Sequence, residues 1–146
     1  MSWLDGVRAL YDGYIAKAEQ LEREKKPGDG LLGLSGGPKD DPCHDQFAAA
    51  LEGLLREMVR QRPPSGDVRD VLAYIYTAAL AHGEPKTVYW MFEAVHGMTV
   101  DAVGLLSEKD AQILRDAYVK SHHRWRMLPS QKKALAALDE ARKRRF

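Results

Sequence analysis

The spacing of apolar residues constrains this chain most. They recur every three or four positions along most of its length, the period of an α-helix, and almost nowhere at every second position, the period of a strand. In the first segment Leu4, Val7, Tyr11, Tyr14, Ala18 and Leu21 alternate between these two spacings. So narrow a stripe is the kind that packs against a single partner helix. Asp5, Asp12 and Glu19 run beside it at intervals of seven and make one flank acidic. The pattern predicts a helix from about Ser2 to Lys25, ended by Pro27 and Gly28.

Residues 27–40 break the period with five glycines and two prolines, a density that backbone entropy does not allow in a helix. Asp41 is a good N-cap and Pro42 suits a first helical position, so a second helix is expected there. Its apolar face is Phe47, Leu51, Leu54, Leu55 and Met58, and Pro63-Pro64-Ser65-Gly66 closes it. A third helix is expected from an Asp67 cap, with Val68, Val71, Leu72, Ile75, Ala79 and Leu80 buried and His82-Gly83 at its end. The fourth starts near Pro85 and runs to Gly97, with Val88, Met91, Phe92, Val95 and His96 on one side. Its aromatic content makes it the expected central helix. Residues 98–106 suit a short helix or a buried turn. Ser107 and Asp110 resemble a capping box in which Asp replaces Glu or Gln, and Ala111, Leu114, Ala117, Tyr118 and Ser121 follow on one face. The last helix begins at Pro129, with Leu128, Leu135, Leu138 and Ala141 inward.

These segments predict an all-α fold: a compact single-domain helical bundle, residues 1–146, of five to seven helices. One long Gly-rich loop (27–40) joins the first two helices, and a basic C-terminal helix spans about 129–144. A chain of 146 residues that is 45% apolar can bury one real core. No run approaches the roughly 18 apolar residues needed to cross a bilayer, and Asp5 and Asp12 interrupt the N-terminal stretch where a signal peptide would need to be apolar. A membrane partner is therefore not expected and the cytoplasm is the expected location. A single cysteine agrees with a reducing compartment.

Gly33-Leu34-Ser35-Gly36-Gly37 matches the spelling of a hydrolase nucleophile turn. That turn requires a strand leading into it, and here a helix does. Ser35 is set aside on that ground, and no Gly-Lys-Ser/Thr ending supports a phosphate-binding loop. Cys43 lies at the second position of a predicted helix, where free amides favour a thiolate, with His44 beside it. Asp40, Asp41 and Asp45 oppose that effect, and lone cysteines are usually buried packing residues. No catalytic set is assigned; Cys43 and His44 are the nearest candidates. Glu93-x-x-His96 has the spacing of one carboxylate–imidazole arm of a di-iron bundle, but the second arm is missing. His44, Glu93, His96, His122 and His123 are the candidate metal ligands, although His96 on an apolar stripe is more often a hydrogen-bonded core histidine. No cofactor is implied.

Charge is unevenly placed. Residues 1–106 carry 11 Lys/Arg against 16 Asp/Glu, and residues 107–146 carry 11 against 5. Basic side chains interleaved with an aromatic at His122, His123, Arg124, Trp125 and Arg126, followed by Lys132, Lys133, Arg142, Lys143, Arg144 and Arg145, fit a phosphate-backbone surface. The sequence pI of about 7.9 is low for a dedicated nucleic-acid binder, and cations near a helix C-terminus also serve the helix dipole. The preferred reading is a non-catalytic protein-interaction or regulatory module. Its contacts would run through Tyr11, Tyr14 and Trp90, and its partner would be a second copy or another protein. The alternatives are a nucleic-acid binder using the basic region and a thiol or metal activity centred on Cys43 and His44.

Overall fold

A computed structural model describes residues 2–24, 42–81, 91–122 and 127–143, with 18–19, 21–24, 42–44, 79–81 and 91 described by backbone alone. The three–four periodicity becomes helix throughout: α1 (Trp3–Glu24), α2 (Pro42–Gln61), α3 (Ser65–Ala81), α4 (Met91–Ala94), a 3₁₀ turn (His96–Thr99), α5 (Val100–Val103), α6 (Glu108–Ser121) and α7 (Pro129–Arg142). Among the described residues there is no strand, and no helix is long and apolar enough to cross a membrane. The fold is all-α. The loop expected at 27–40, the caps expected at Asp41 and His82-Gly83, and the start of the fourth helix at Pro85 lie outside the described residues.

The stripes meet in one apolar cluster drawn from every long helix. α3 is its middle element and packs against α1, α4 and α6. Val68, Val71, Leu72 and Ile75 of α3 are all fully buried. Of the expected fourth helix, the described part is Met91–Ala94 in α-helix followed by the 3₁₀ turn; it packs against α3 and α7 and buries Phe92, Val95 and His96. Near α1 the core is aromatic: Tyr11 stands edge-on to Phe47 at 4.9 Å between centroids and lies 4.8 Å from Phe92, and Tyr14 lies 4.7 Å from Phe47.

Helix ends differ from expectation in ways that local chemistry explains. α2 closes at Arg62, the only described non-glycine with positive φ (50°), whose N–H returns to the Met58 carbonyl at 2.9 Å. Pro63-Pro64 is then the whole connection. α3 starts at Ser65, because the Pro64 carbonyl already accepts from Asp67 N–H (3.0 Å) and Val68 N–H (3.2 Å). Asp67 therefore sits inside the first turn, where it suits the dipole, and is not the cap. Leu128 precedes α7 in extended backbone and is 37% exposed, so it is not inward; Ala117 is also exposed.

Ser107 caps α6 as expected, accepting from Asp110 N–H at 3.1 Å. The return half of the box is relayed. Ser107 N–H donates to Ser65 Oγ (2.8 Å), and Ser65 Oγ donates to Asp110 Oδ2 (2.5 Å). Asp is one methylene shorter than Glu, and a hydroxyl from α3 occupies the position that a Glu carboxylate would fill. Arg69 completes the joint with a 3.0 Å ion pair to Asp110.

Candidate functional site

Two of the nominated histidines meet in the interior. His96, the first residue of the 3₁₀ turn, and His122, just past α6, lie 5.6 Å apart between ring centroids and are both buried. Tyr76 of α3 and Tyr118 of α6 pack edge-on against each other between them at 4.9 Å. His96 Nδ1 is 2.6 Å from the Tyr118 hydroxyl, and the Tyr76 hydroxyl is 2.7 Å from Thr99 Oγ1. His122 Nε2 is 3.0 Å from the Tyr76 carbonyl, which can only accept, so Nε2 carries the proton. His122 Nδ1 is then an acceptor facing Gln131 Nε2 at 3.4 Å. Gln131 Oε1 in turn accepts from Leu128 N–H at 2.8 Å, which is the capping bond of α7.

Burial, and then the neighbouring His122, push the pKa of His96 down to about 3. Among the described residues its Nε2 closes no hydrogen bond; the Ile75 carbonyl faces the ring and opposes the depression. Burial also lowers His122, opposed by the Tyr76 carbonyl and the charge of Glu93. Tyr76 and Tyr118 are both pushed well above the usual tyrosine range by burial. All four rings are therefore neutral at pH 7, and the cluster acts as a hydrogen-bonded joint between α3, the 3₁₀ turn, α6 and α7.

His96 and His122 converge, but Tyr118, the Tyr76 carbonyl and Gln131 occupy three of their four ring nitrogens. Glu93 ends up in α4 and His96 in the following 3₁₀ turn, so the three-residue spacing no longer places them on one α-helical face. Among the described residues no group of three or more His, Cys, Asp and Glu is arranged to hold a metal. Cys43 and His44 lie in the first turn of α2 and are described by backbone alone. His123, Arg124, Trp125, Arg126, Arg144, Arg145 and Trp90 lie outside the described residues.

Of the remaining basic candidates, Lys132, Lys133 and Lys143 are exposed. Arg142 is turned to its own chain. Its Nε bonds Asp139 at 3.0 Å, a second donor bonds Gln112 of α6 at 3.1 Å, and Arg115 of α6 binds the same Asp139 at 3.0 Å. The geometry spends that cation on joining α6 to α7. Tyr11 and Tyr14 are corrected as well: the stripe is covered by α2, α3 and α4, leaving Tyr11 fully buried and Tyr14 6% exposed. Tyr11 is no surface contact, whereas Tyr14 keeps an edge in the groove along α1 and α2.

Two hollows on the described surface are each about 280 Å³. One opens between α2, α5 and α7, with Leu55, Val59, Met98 and Val100 inside and Glu52, Arg56, Asp101 and Lys133 around the rim. The other is a groove along α1 and α2, lined by Ala9, Leu10, Gly13, Tyr14 and Lys17 of α1 and by Gln46, Phe47 and Ala50 of α2. Neither lining includes His96, His122, Tyr76 or Tyr118. Sequence reasoning missed Tyr76, Thr99, Tyr118 and Gln131, whose partners are 9 to 46 positions away. Comparison with protein-family models, with curated proteins and with solved structures gives no match for this chain.

Proposed function

We propose that the protein is a non-catalytic interaction module that pairs through the outer face of α1, its partner being a second copy of the same chain. The observation that carries this reading is Gly13. A glycine in mid-helix costs about 1 kcal/mol relative to alanine. Gly6, also on α1, is half-buried, and a Cβ there would touch Leu54 at 3.4 Å. At Gly13 a Cβ would meet nothing within 4 Å among the described residues, yet the position lines the groove along α1 and α2. Ala9, Gly13 and Ala16 are exposed at spacings of four and three, so they form one small-residue face on which a second helix can approach closely. Exposed Arg8, Asp12 and Lys17 flank it with both signs of charge, as a face that meets its own copy across a two-fold axis requires.

The test is sedimentation across micromolar to near-millimolar concentrations. The wild-type chain is expected to move from monomer to dimer. Gly13→Leu, which fills the groove from its exposed side, is expected to remain monomeric and to melt no lower than wild type. A wild-type chain that stays monomeric throughout, or a Gly13→Leu variant that dimerises equally well, overturns the proposal.

A further inference from the structure

The hydrogen-bond order around His122 couples a titratable group to a helix cap. His122 Nε2–H is held by the Tyr76 carbonyl, so proton uptake has to occur at Nδ1. The group facing Nδ1 is the amide nitrogen of Gln131, a donor. A protonated His122 therefore places N–H against N–H. The contact is relieved if the Gln131 amide turns over and offers Oε1 to the imidazolium. That same Oε1 is the acceptor for Leu128 N–H. Leu128 cannot replace it, because its own side chain has no acceptor, so turning the amide leaves the first turn of α7 uncapped.

We propose that His122, Gln131 and Leu128 form a proton-operated latch: protonation of His122 withdraws Gln131 from the Leu128 amide and releases the N-terminal turn of α7. This turn also carries Ser130, whose hydroxyl donates to the Ala94 carbonyl and accepts from Gly97 N–H, each at 2.6 Å. Gly97 and Lys133 both line the hollow between α2, α5 and α7, so the latch acts on the wall of that hollow. Burial holds the His122 titration below the ordinary histidine range, and the groups facing it from the packed elements set what opposes that. α3 contributes the Tyr76 carbonyl and α4 the carboxylate of Glu93, both favouring the charged form. The 3₁₀ turn contributes His96 and α6 contributes Tyr118, both neutral, and α7 contributes the uncharged Gln131.

The latch is tested by nitrogen-15 NMR on the full chain between pH 7.5 and 4.5. The side-chain shifts of His122 and Gln131 are followed together with hydrogen exchange of the Leu128 amide, corrected for intrinsic rates. Leu128 protection is expected to fall about fivefold, the equivalent of one lost cap, with the midpoint of the His122 titration, and the Gln131 amide signals should shift at that midpoint. In His122→Gln, which keeps a donor for the Tyr76 carbonyl and an acceptor for Gln131, the Leu128 loss at that midpoint should disappear. A Leu128 or Gln131 signal that ignores the His122 midpoint in the wild-type chain overturns the latch, and so does an unchanged Leu128 profile in His122→Gln. The wild-type measurement decides the matter even if the variant fails to fold.

Discussion

Tyr11 and Tyr118 are both buried tyrosines on apolar stripes, yet their hydroxyls stand in opposite situations. The Tyr118 hydroxyl holds His96 Nδ1 at 2.6 Å, whereas the Tyr11 hydroxyl is buried with no hydrogen-bond partner among the described residues. Removing the first leaves the buried His96 Nδ1 without its partner, a loss of about 1–3 kcal/mol. Removing the second deletes an unsatisfied group and keeps the ring packing. Tyr118→Phe should therefore lower the urea midpoint clearly while Tyr11→Phe leaves it equal or higher, both with unchanged slope. Equal midpoints for the two variants would mean that ring contacts alone position His96. The sequence shows that both tyrosines face inward, since each lies on a helical stripe. It does not show which hydroxyl is bonded, because His96 is 22 residues from Tyr118.

Among elements, the ends are more informative than the middles. Helix interiors follow from periodicity, and Ser107 is legible as a cap from its position before α6. The relay through Ser65 is not legible, since it joins the start of α3 to the start of α6 across 42 residues. Ser65→Ala should cost about 1–2 kcal/mol by stranding Ser107 N–H and one oxygen of Asp110. In a double-mutant cycle, Ser65→Ala and Asp110→Asn should be strongly non-additive. Additive losses in chemical denaturation would mean that the two helix starts are stabilised separately. The same limit applies to Arg62 and the early start of α3: local rules place a break at Pro63-Pro64, but nothing local marks Arg62 as the left-handed residue.

For the whole molecule, neutral buried histidines give stability a definite pH dependence. His96 has a folded pKa pushed down to about 3, against 6.5 for a free histidine, and His122 is lowered in the same direction. Below pH 6.5 the unfolded chain binds protons that the folded chain refuses, so stability falls as pH falls, down to the folded pKa. At pH 5 His96 alone accounts for a loss of roughly 2 kcal/mol. Asp110 and Asp116, whose carboxyls are held below the usual range first by their Ser65 and Gln112 hydrogen bonds, add losses only at lower pH as they are protonated. Denaturation at pH 7, 6 and 5 should show the decline before Asp110 and Asp116 are protonated; a flat profile would contradict the burial of His96.

What the sequence by itself determined is the all-α class, the extent of most helices and the identity of most core positions, because hydrophobic period, caps and prolines act within a few residues of where they occur. The tertiary structure alone decided that α3 is central, that Tyr11 and Tyr14 belong to the core, that Arg142 ties α6 to α7, and that His96 and His122 meet among tyrosines. Each of those depends on contacts between residues distant in the chain, and a one-dimensional period fixes the face a helix turns inward without fixing which helix it meets there.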